Sequence, residues 1–395
     1  MTQVAYLVHS GAESGAELSL ATSLAHWPEG EPRPVVLMAE DGPVVARFVA
    51  AGADVRVGAT SRSLVALRRG SAGGRRLLAA VGGLRDAART TARDLADAGA
   101  DVVVATSLKS LAYGWLAARR RRLPVVWSLH DRVAGDYFPG WVVPLLRYAA
   151  PRLVSGIIVN SRSTLSTIRP GRTPVLVAYP AIELPDVDAE RPAAPLRRVG
   201  ILGRLAHWKG QDVFLEAFAR AFADRPEVEA VVIGGALFGE DDYERELVEL
   251  ADTPPLRGRV TFTGHVADPW PQLTGLDVLV HASRTPEPFG QVVVQGMWMG
   301  CAVVATTPGG PSEVITPGRD GMLVPCDDVP ALAAALRHLG QDDEGRVELG
   351  RAAKATAARY AIERAAPARA TWLADVAARR VAPSSVRLTV TREVP

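Results

Sequence analysis

Four short stretches hold residue types that suit anion and sugar chemistry better than a core. In EPFGQVVVQGM, Glu287 stands on a loop before an apolar helix whose start is expected near Phe289. The first amides of a helix are unpaired and can hold ligand oxygens, and Gly290 removes a Cβ from the point of approach. Gln291 and Gln295 are four apart and share one helix face, while Glu287 can accept hydrogen bonds from sugar hydroxyls. In GRLAHWKG, Gly203 and Arg204 follow a strand and Lys209 opens the next helix, so two cations beside a glycine suit a diphosphate. In LHD, His130 ends a strand, where an imidazole can meet a sugar hydroxyl or an oxyanion or can simply be structural. In HSGAESGAELSL, Ser14 and Glu17 fit a capping box, and Gly15 at the helix start would let a phosphate reach free amides. That glycine spacing is not the dinucleotide fingerprint.

The elements that must position these residues are short β-branched runs separated by helix-length segments, the pattern of parallel sheets with crossover helices. In the first half the strands read VAYLV (4–8), PVVLMA (34–39), DVRV (54–57), DVVVAT (101–106), PVVWSL (124–129), GIIVN (156–160) and PVLVAY (174–179). The second half repeats the scheme with RVGILG (198–203), EAVVIGG (229–235), RVTFTG (259–264), DVLVHA (277–282), CAVVAT (301–306) and GMLVP (321–325). Nearly continuous apolar runs predict sheets covered on both faces. The Pro- and charge-rich stretch 181–198 reads as a linker between a domain at 1–180 and one at 199–358. Two doubly wound α/β domains with a cleft between them are expected, the carboxyl ends of both sheets facing it. A C-terminal helix over 359–380 follows, and the tail 381–395 reads either as loose or as a late edge strand.

Composition narrows the classes. The 395 residues are 48% hydrophobic and 22% charged, without an apolar run of membrane-spanning length, so the chain reads as soluble. The start MTQVAYLVHS has no basic n-region or small-residue cleavage site, which points to the cytoplasm. Cys301 and Cys326 read as small core residues, and no Cys and His cluster has metal-ligand spacing. Asp241-Asp242 opens a helix, where acids serve as caps, so neither a metal nor another cofactor is expected. A net charge of +2 gives no reason to expect a nucleic-acid partner. The run Arg119–Arg122 reads either as a solvated helix end or as a patch touching an acidic acceptor or anionic lipid, the lipid being a peripheral membrane contact.

Taken in order, SGAE (14–17), LHD (129–131), GRLAHWKG (203–210), VTFTGHV (260–266), EPFGQVVVQGM (287–297) and ATTPGGPSEVI (305–315) resemble the retaining family 4 glycosyltransferases of the GT-B fold over nearly the whole chain. The resemblance implies two Rossmann-like domains facing a central cleft, with a nucleoside-diphosphate sugar of UDP or GDP type as donor. It implies that Gly15 lies near the donor phosphates and that Arg204 and Lys209 bind the diphosphate. It further implies that Glu287 and the stretch Phe289, Gly290, Gln291 and Val292 hold the donor sugar. The loop Gly264 to Val266 would lie near the base, and His130 matches the family's histidine in the cleft. The first domain would bind an acceptor of unidentified kind, small natural product, glycan or lipid-linked sugar, with contacts expected from the segment 61–100.

One position departs from the family pattern. Its motif is E-x7-E, and the second Glu binds the ribose hydroxyls, whereas here position 295 is Gln. A carboxylate accepts from both hydroxyls, but an amide offers one acceptor oxygen and an NH₂ needing its own partner. The expectation is an active, metal-independent enzyme with a weaker hold on the ribose. The alternative is a catalytically weakened nucleotide-sugar-binding protein of the same fold.

Overall fold

The computed structural model describes residues 1–58, 74–135, 137–180, 182–187, 192–237 and 239–390. Residues 61–73 of the expected acceptor segment, and 181 and 188–191 of the expected linker, lie outside the described residues. The chain divides into two units, Met1–Glu183 with Ile362–Pro395, and Leu184–Ala361.

The first unit is built on β1 (Val4–Val8), β2 (Val35–Met38), β3 (Asp54–Val57), β4 (Val102–Ala105), β5 (Val125–Leu129), β6 (Gly156–Val159), β7 (Val175–Val177) and β14 (Val386–Leu388). All pair in parallel, in the order β14-β7-β6-β5-β4-β1-β2-β3. Every residue of β1, β2, β4, β5 and β6 is buried, which is why these runs are apolar without alternation. The helix Ile362–Ala377 seals this core with Trp372, whose ring lies so close to Gly156 that a Cβ there would meet it at 2.7 Å. Of the tail, Val386–Leu388 forms the edge strand, in register with Val175–Val177.

The second unit holds β8 (Arg198–Leu202), β9 (Glu229–Ile233), β10 (Val260–Phe262), β11 (Val278–His281), β12 (Ala302–Thr307) and β13 (Met322–Pro325). These are again all parallel, ordered β10-β9-β8-β11-β12-β13. The order reverses beside β8, so the ends of β8 and β11 flank a topological switch point, where doubly wound sheets bind ligands. The helix Gln291–Trp298 is pressed onto β11 at Gly296, where a Cβ would stand 2.2 Å from the Leu279 side chain. That close approach fixes the height of the helix start above the sheet.

Three local expectations are corrected. Ser14 is the N-cap of Gly15–Ala25, but its side chain accepts no backbone bond; its hydroxyl donates to the Glu17 carboxylate. Asp241 and Asp242 lie in the first turn of Asp241–Ala251, behind an N-cap Glu240, so they match the helix dipole without capping it. Cys301 is buried in the core, whereas Cys326 is only half-buried.

Candidate functional site: a paired carboxylate at the switch point

The second unit gathers most of the residues singled out in the sequence. Lys209 ends a short turn, His207–Lys209, after β8; Gly210 then caps the helix Gln211–Ala221. Its ammonium donates to Glu287 Oε2 at 2.8 Å and lies 4.1 Å over the Trp208 ring. Ser283 donates to the same Oε2 at 2.9 Å, and His281 Nε2 faces it at 3.4 Å. The His281 Nδ1 lies 3.3 Å from the Thr306 hydroxyl, so a proton on Nε2 satisfies both sides of the ring. Among the described residues these three contacts of the carboxylate all end on Oε2, and Oε1 takes none.

Glu287 is little exposed, 11%, and burial alone would raise its pKa; the Lys209 ammonium and the His281 hydrogen bond outweigh that and hold it well below the usual carboxylate range. The carboxylate is therefore an anion at neutral and mildly acidic pH. Its backbone is fixed as well: Gly310 N donates to the Glu287 carbonyl at 2.8 Å, and a Cβ on Gly310 would strike Phe289 Cα at 2.2 Å. Only glycine lets the 309–310 turn lie this close under the 287–290 loop. On the far side Arg284 bridges Asp212 and Asp327.

The helix start is a correction. It begins at Gln291 with Gly290 as N-cap in the left-handed region, φ +88°, and not at Phe289. Phe289 is 2% exposed and packs against Tyr360, ring centroids 5.7 Å apart, so its side chain belongs to the core. The amides of Gln291 and Val292 have no carbonyl one turn back to bond, and Gln291, Val292 and Gln295 line the half-buried side of the helix. Lys209, assigned to a diphosphate from the sequence, is also the counter-ion of Glu287.

Arg204 follows Gly203 at the end of β8, half-buried, and its carbonyl accepts from Gln211 Nε2 at 2.9 Å. The ends of the next two strands lie alongside: Gly234 N donates to the Gly264 carbonyl at 3.1 Å, and a Cβ on Gly234 would meet the Gly203 carbonyl at 2.1 Å. This brings Gly203 and the loop carrying Gly264 and Val266 to one edge. Gly15 and His130 belong to the first unit. Gly15 is the first residue of its helix, with open space where a Cβ would be. His130 Nε2 lies 3.0 Å from the Ser128 hydroxyl, and its carbonyl accepts from Asn160 at 2.8 Å. Burial, and secondarily the Arg369 guanidinium, push its pKa down to about 4, so the ring is neutral near pH 7.

Sequence reasoning missed His281, Ser283 and Thr306, which orient Glu287, and Arg284, which braces its loop. A histidine ending an otherwise apolar strand six residues before Glu287 was the available signal. Also missed was His9 after β1, whose Nδ1 is buried without a hydrogen-bond partner.

Comparison with known proteins agrees with this architecture. Residues 197–342 match the model of the glycosyl transferases group 1, and residues 39–184 that of glycosyltransferase family 4. The chain belongs to the group 1, family 4 glycosyltransferases of GT-B fold. Family members similar to it include the lipopolysaccharide core biosynthesis mannosyltransferase LpsB of Rhizobium meliloti, 32% identical over 43% of this chain and 49% of that protein. Another is the phosphatidyl-myo-inositol mannosyltransferase of Mycolicibacterium smegmatis, 35% identical over 42% of this chain and 44% of that protein. The chain thus spans about half the length of these curated relatives. Among solved structures, Anabaena HepE in complex with UDP and glucose superposes with a TM-score of 0.78 at 26% identity, covering 95% of this chain and 100% of that one.

Proposed function

We propose that the chain transfers a sugar from a nucleoside-diphosphate sugar to a hydroxyl or other nucleophile on an acceptor, with retention of the anomeric configuration and without a metal. The observation that carries this reading is the Glu287 cluster: a carboxylate held ionised by Lys209, with one oxygen engaged and the other presented beside an unpaired helix N-terminus. In this reading Glu287 Oε1 accepts from hydroxyls of the transferred sugar. The amides of Gln291 and Val292 and the cations of Arg204 and Lys209 receive the negative charge that grows on the leaving β-phosphate. Lys209 has protons to spare for a phosphate after donating one to Glu287. Gly264 to Val266 would border the base and Gln295 the ribose.

The solved complexes of HepE contain UDP and UDP-glucose, which favours a uridine donor for this chain. Departure of the diphosphate and attack by the acceptor on the same face would retain configuration, the phosphate oxygen taking the acceptor proton. His130, neutral and anchored to Ser128, would act as a hydrogen-bonding group rather than as a cation. The test is a product analysis: incubation with nucleotide sugars and an acceptor panel, followed by NMR coupling constants at the new anomeric centre. Retained configuration is expected; an inverted product contradicts the proposed mechanism.

A further inference from the structure

The first unit carries a strong local charge. Between Val102 and Ile182 there are eleven Lys and Arg against two acids, Asp131 and Asp136, although the whole chain is only +2. From Tyr137 to Ile182 there is no acid at all. The rest of the chain, taken as a whole, therefore carries an excess of acids.

The fold collects several of these cations at one end of the sheet. Arg122 ends the helix Leu108–Arg121 and precedes β5, Arg152 precedes β6, Arg172 precedes β7, and Arg379 follows the last long helix. Arg122, Arg172 and Arg379 line a surface pocket of about 250 Å³, together with Ser155 and Pro174, and among the described residues no acid lines it. Arg119, Arg120 and Arg121 continue the basic rim along the last helical turn, Arg119 lying 4.8 Å over the Trp115 ring.

Beside this rim runs an apolar stripe. Trp141, Leu145, Tyr148 and Leu153 are 81%, 54%, 49% and 57% exposed, on or just before a helical stretch that includes Leu145–Ala149 and Ala150–Leu153. Trp141 stands in the turn before this stretch, Leu145 and Tyr148 in its π-helical part and Leu153 in its 3-10 part, and it is their shared exposure to water that groups them. The stripe meets the basic rim directly: the Leu153 carbonyl accepts from Trp115 Nε1 at 2.9 Å, and Arg152 donates to the Tyr148 carbonyl. Nothing in the fold requires a tryptophan, a leucine and a tyrosine to face water together. Trp and Tyr, apolar with one polar tip, are the residues that settle at a bilayer interface, and arginines beside them meet lipid phosphates.

We propose that this face of the first unit docks on an anionic lipid bilayer, the stripe entering the headgroup boundary and the pocket arginines holding lipid phosphate. The proposal does not depend on which nucleotide the second unit binds. No helix among the described residues is long and apolar enough to cross a membrane, so the contact lies in the surface of the bilayer.

The experiment is flotation of the full chain with vesicles of phosphatidylcholine alone and of phosphatidylcholine with an equal amount of phosphatidylglycerol, at low and high salt. Flotation with the anionic vesicles only, reversed by salt, is the expected result. Trp141→Ala/Leu145→Ala/Tyr148→Ala should abolish it, and each arginine neutralised in Arg120, Arg121 and Arg172 should weaken it by about fivefold. The altered side chains are exposed, and unchanged thermal melting of each variant verifies its fold. No flotation at low salt overturns the proposal, as does flotation that neither set of variants alters. A dimer in light scattering that the triple variant dissolves, without flotation, assigns the face to a second copy of this chain and also overturns it. So does stabilisation by inorganic phosphate, lost in Arg172→Glu/Arg379→Glu, without flotation.

Discussion

The two units hold one ionisable side chain each in opposite charge states. In the second unit Glu287 is buried yet kept anionic, because an ammonium, a hydroxyl and an imidazole converge on its Oε2. In the first, His130 is kept neutral, because its ring gains only the Ser128 hydroxyl while burial and Arg369 oppose a positive charge. Burial has the same direction of effect on both, against charge. What differs is whether an opposite charge is supplied within hydrogen-bond distance. The second unit therefore holds a fixed negative charge, suited to accepting hydrogen bonds from hydroxyls, and the first offers a polar but uncharged contact.

The largest effect should come from breaking the compensated pair. Glu287→Ala leaves the Lys209 ammonium and His281 facing each other, and should cost about 3–5 kcal/mol of stability of the second unit, read by denaturant unfolding, along with transfer activity. Glu287→Gln should keep the fold better and still lose the sugar contact.

The opposite charge states also separate in acid. His130 has a folded pKa of about 4 against an unfolded value near 6.5, so the unfolded chain binds the proton first. Its contribution is fully present above about pH 6.5 and is lost as pH falls toward 4, by up to about 3 kcal/mol. Glu287 works in the same sense but in a lower window: its depressed pKa means its contribution is fully present above the ordinary carboxylate range and is lost progressively as pH falls through that range and below it. An unfolding series from pH 8 to 5 should thus show a slope that His130→Gln flattens and Glu287→Gln does not.

Smaller effects sharpen the picture of the second unit. Gln295→Glu should restore a charge-assisted bond to the ribose and tighten the donor by about 1–2 kcal/mol, seen in KM rather than kcat. A rise of orders of magnitude in kcat would place position 295 at the reacting centre instead. Ser283→Ala removes one bond to Oε2 and should weaken the sugar contact by about 1 kcal/mol, with the Lys209 pair intact.

Much of this was legible in the sequence. Continuous β-branched runs such as Val102–Ala105 and Ala302–Thr307 mark strands covered on both faces, and their spacing marks parallel connections. What one-dimensional reading could not supply were contacts between distant residues. Lys209 and Glu287 are 78 positions apart, so each was given a ligand of its own when they are also each other's partner. His281 looked like the end of a strand, because only the packing of Thr306 and Glu287 on either side reveals its role. The helix start was placed two residues early because Phe289 continues the apolar pattern, whereas the left-handed backbone of Gly290 ends the loop. Arg152 and Arg172, separate in the sequence, join the basic end of the first sheet only through the parallel order of β5, β6 and β7.

The most direct test of the central claim, that the second unit grips a nucleoside-diphosphate sugar through Glu287 and Lys209, is calorimetric titration with UDP, GDP, ADP and TDP and their common sugar conjugates. One diphosphate should bind, its sugar conjugate should bind more tightly, Glu287→Gln should erase that increment while sparing the diphosphate, and Lys209→Met should weaken both. If no diphosphate binds, or if the sugar increment survives in Glu287→Gln, the account of this site is wrong.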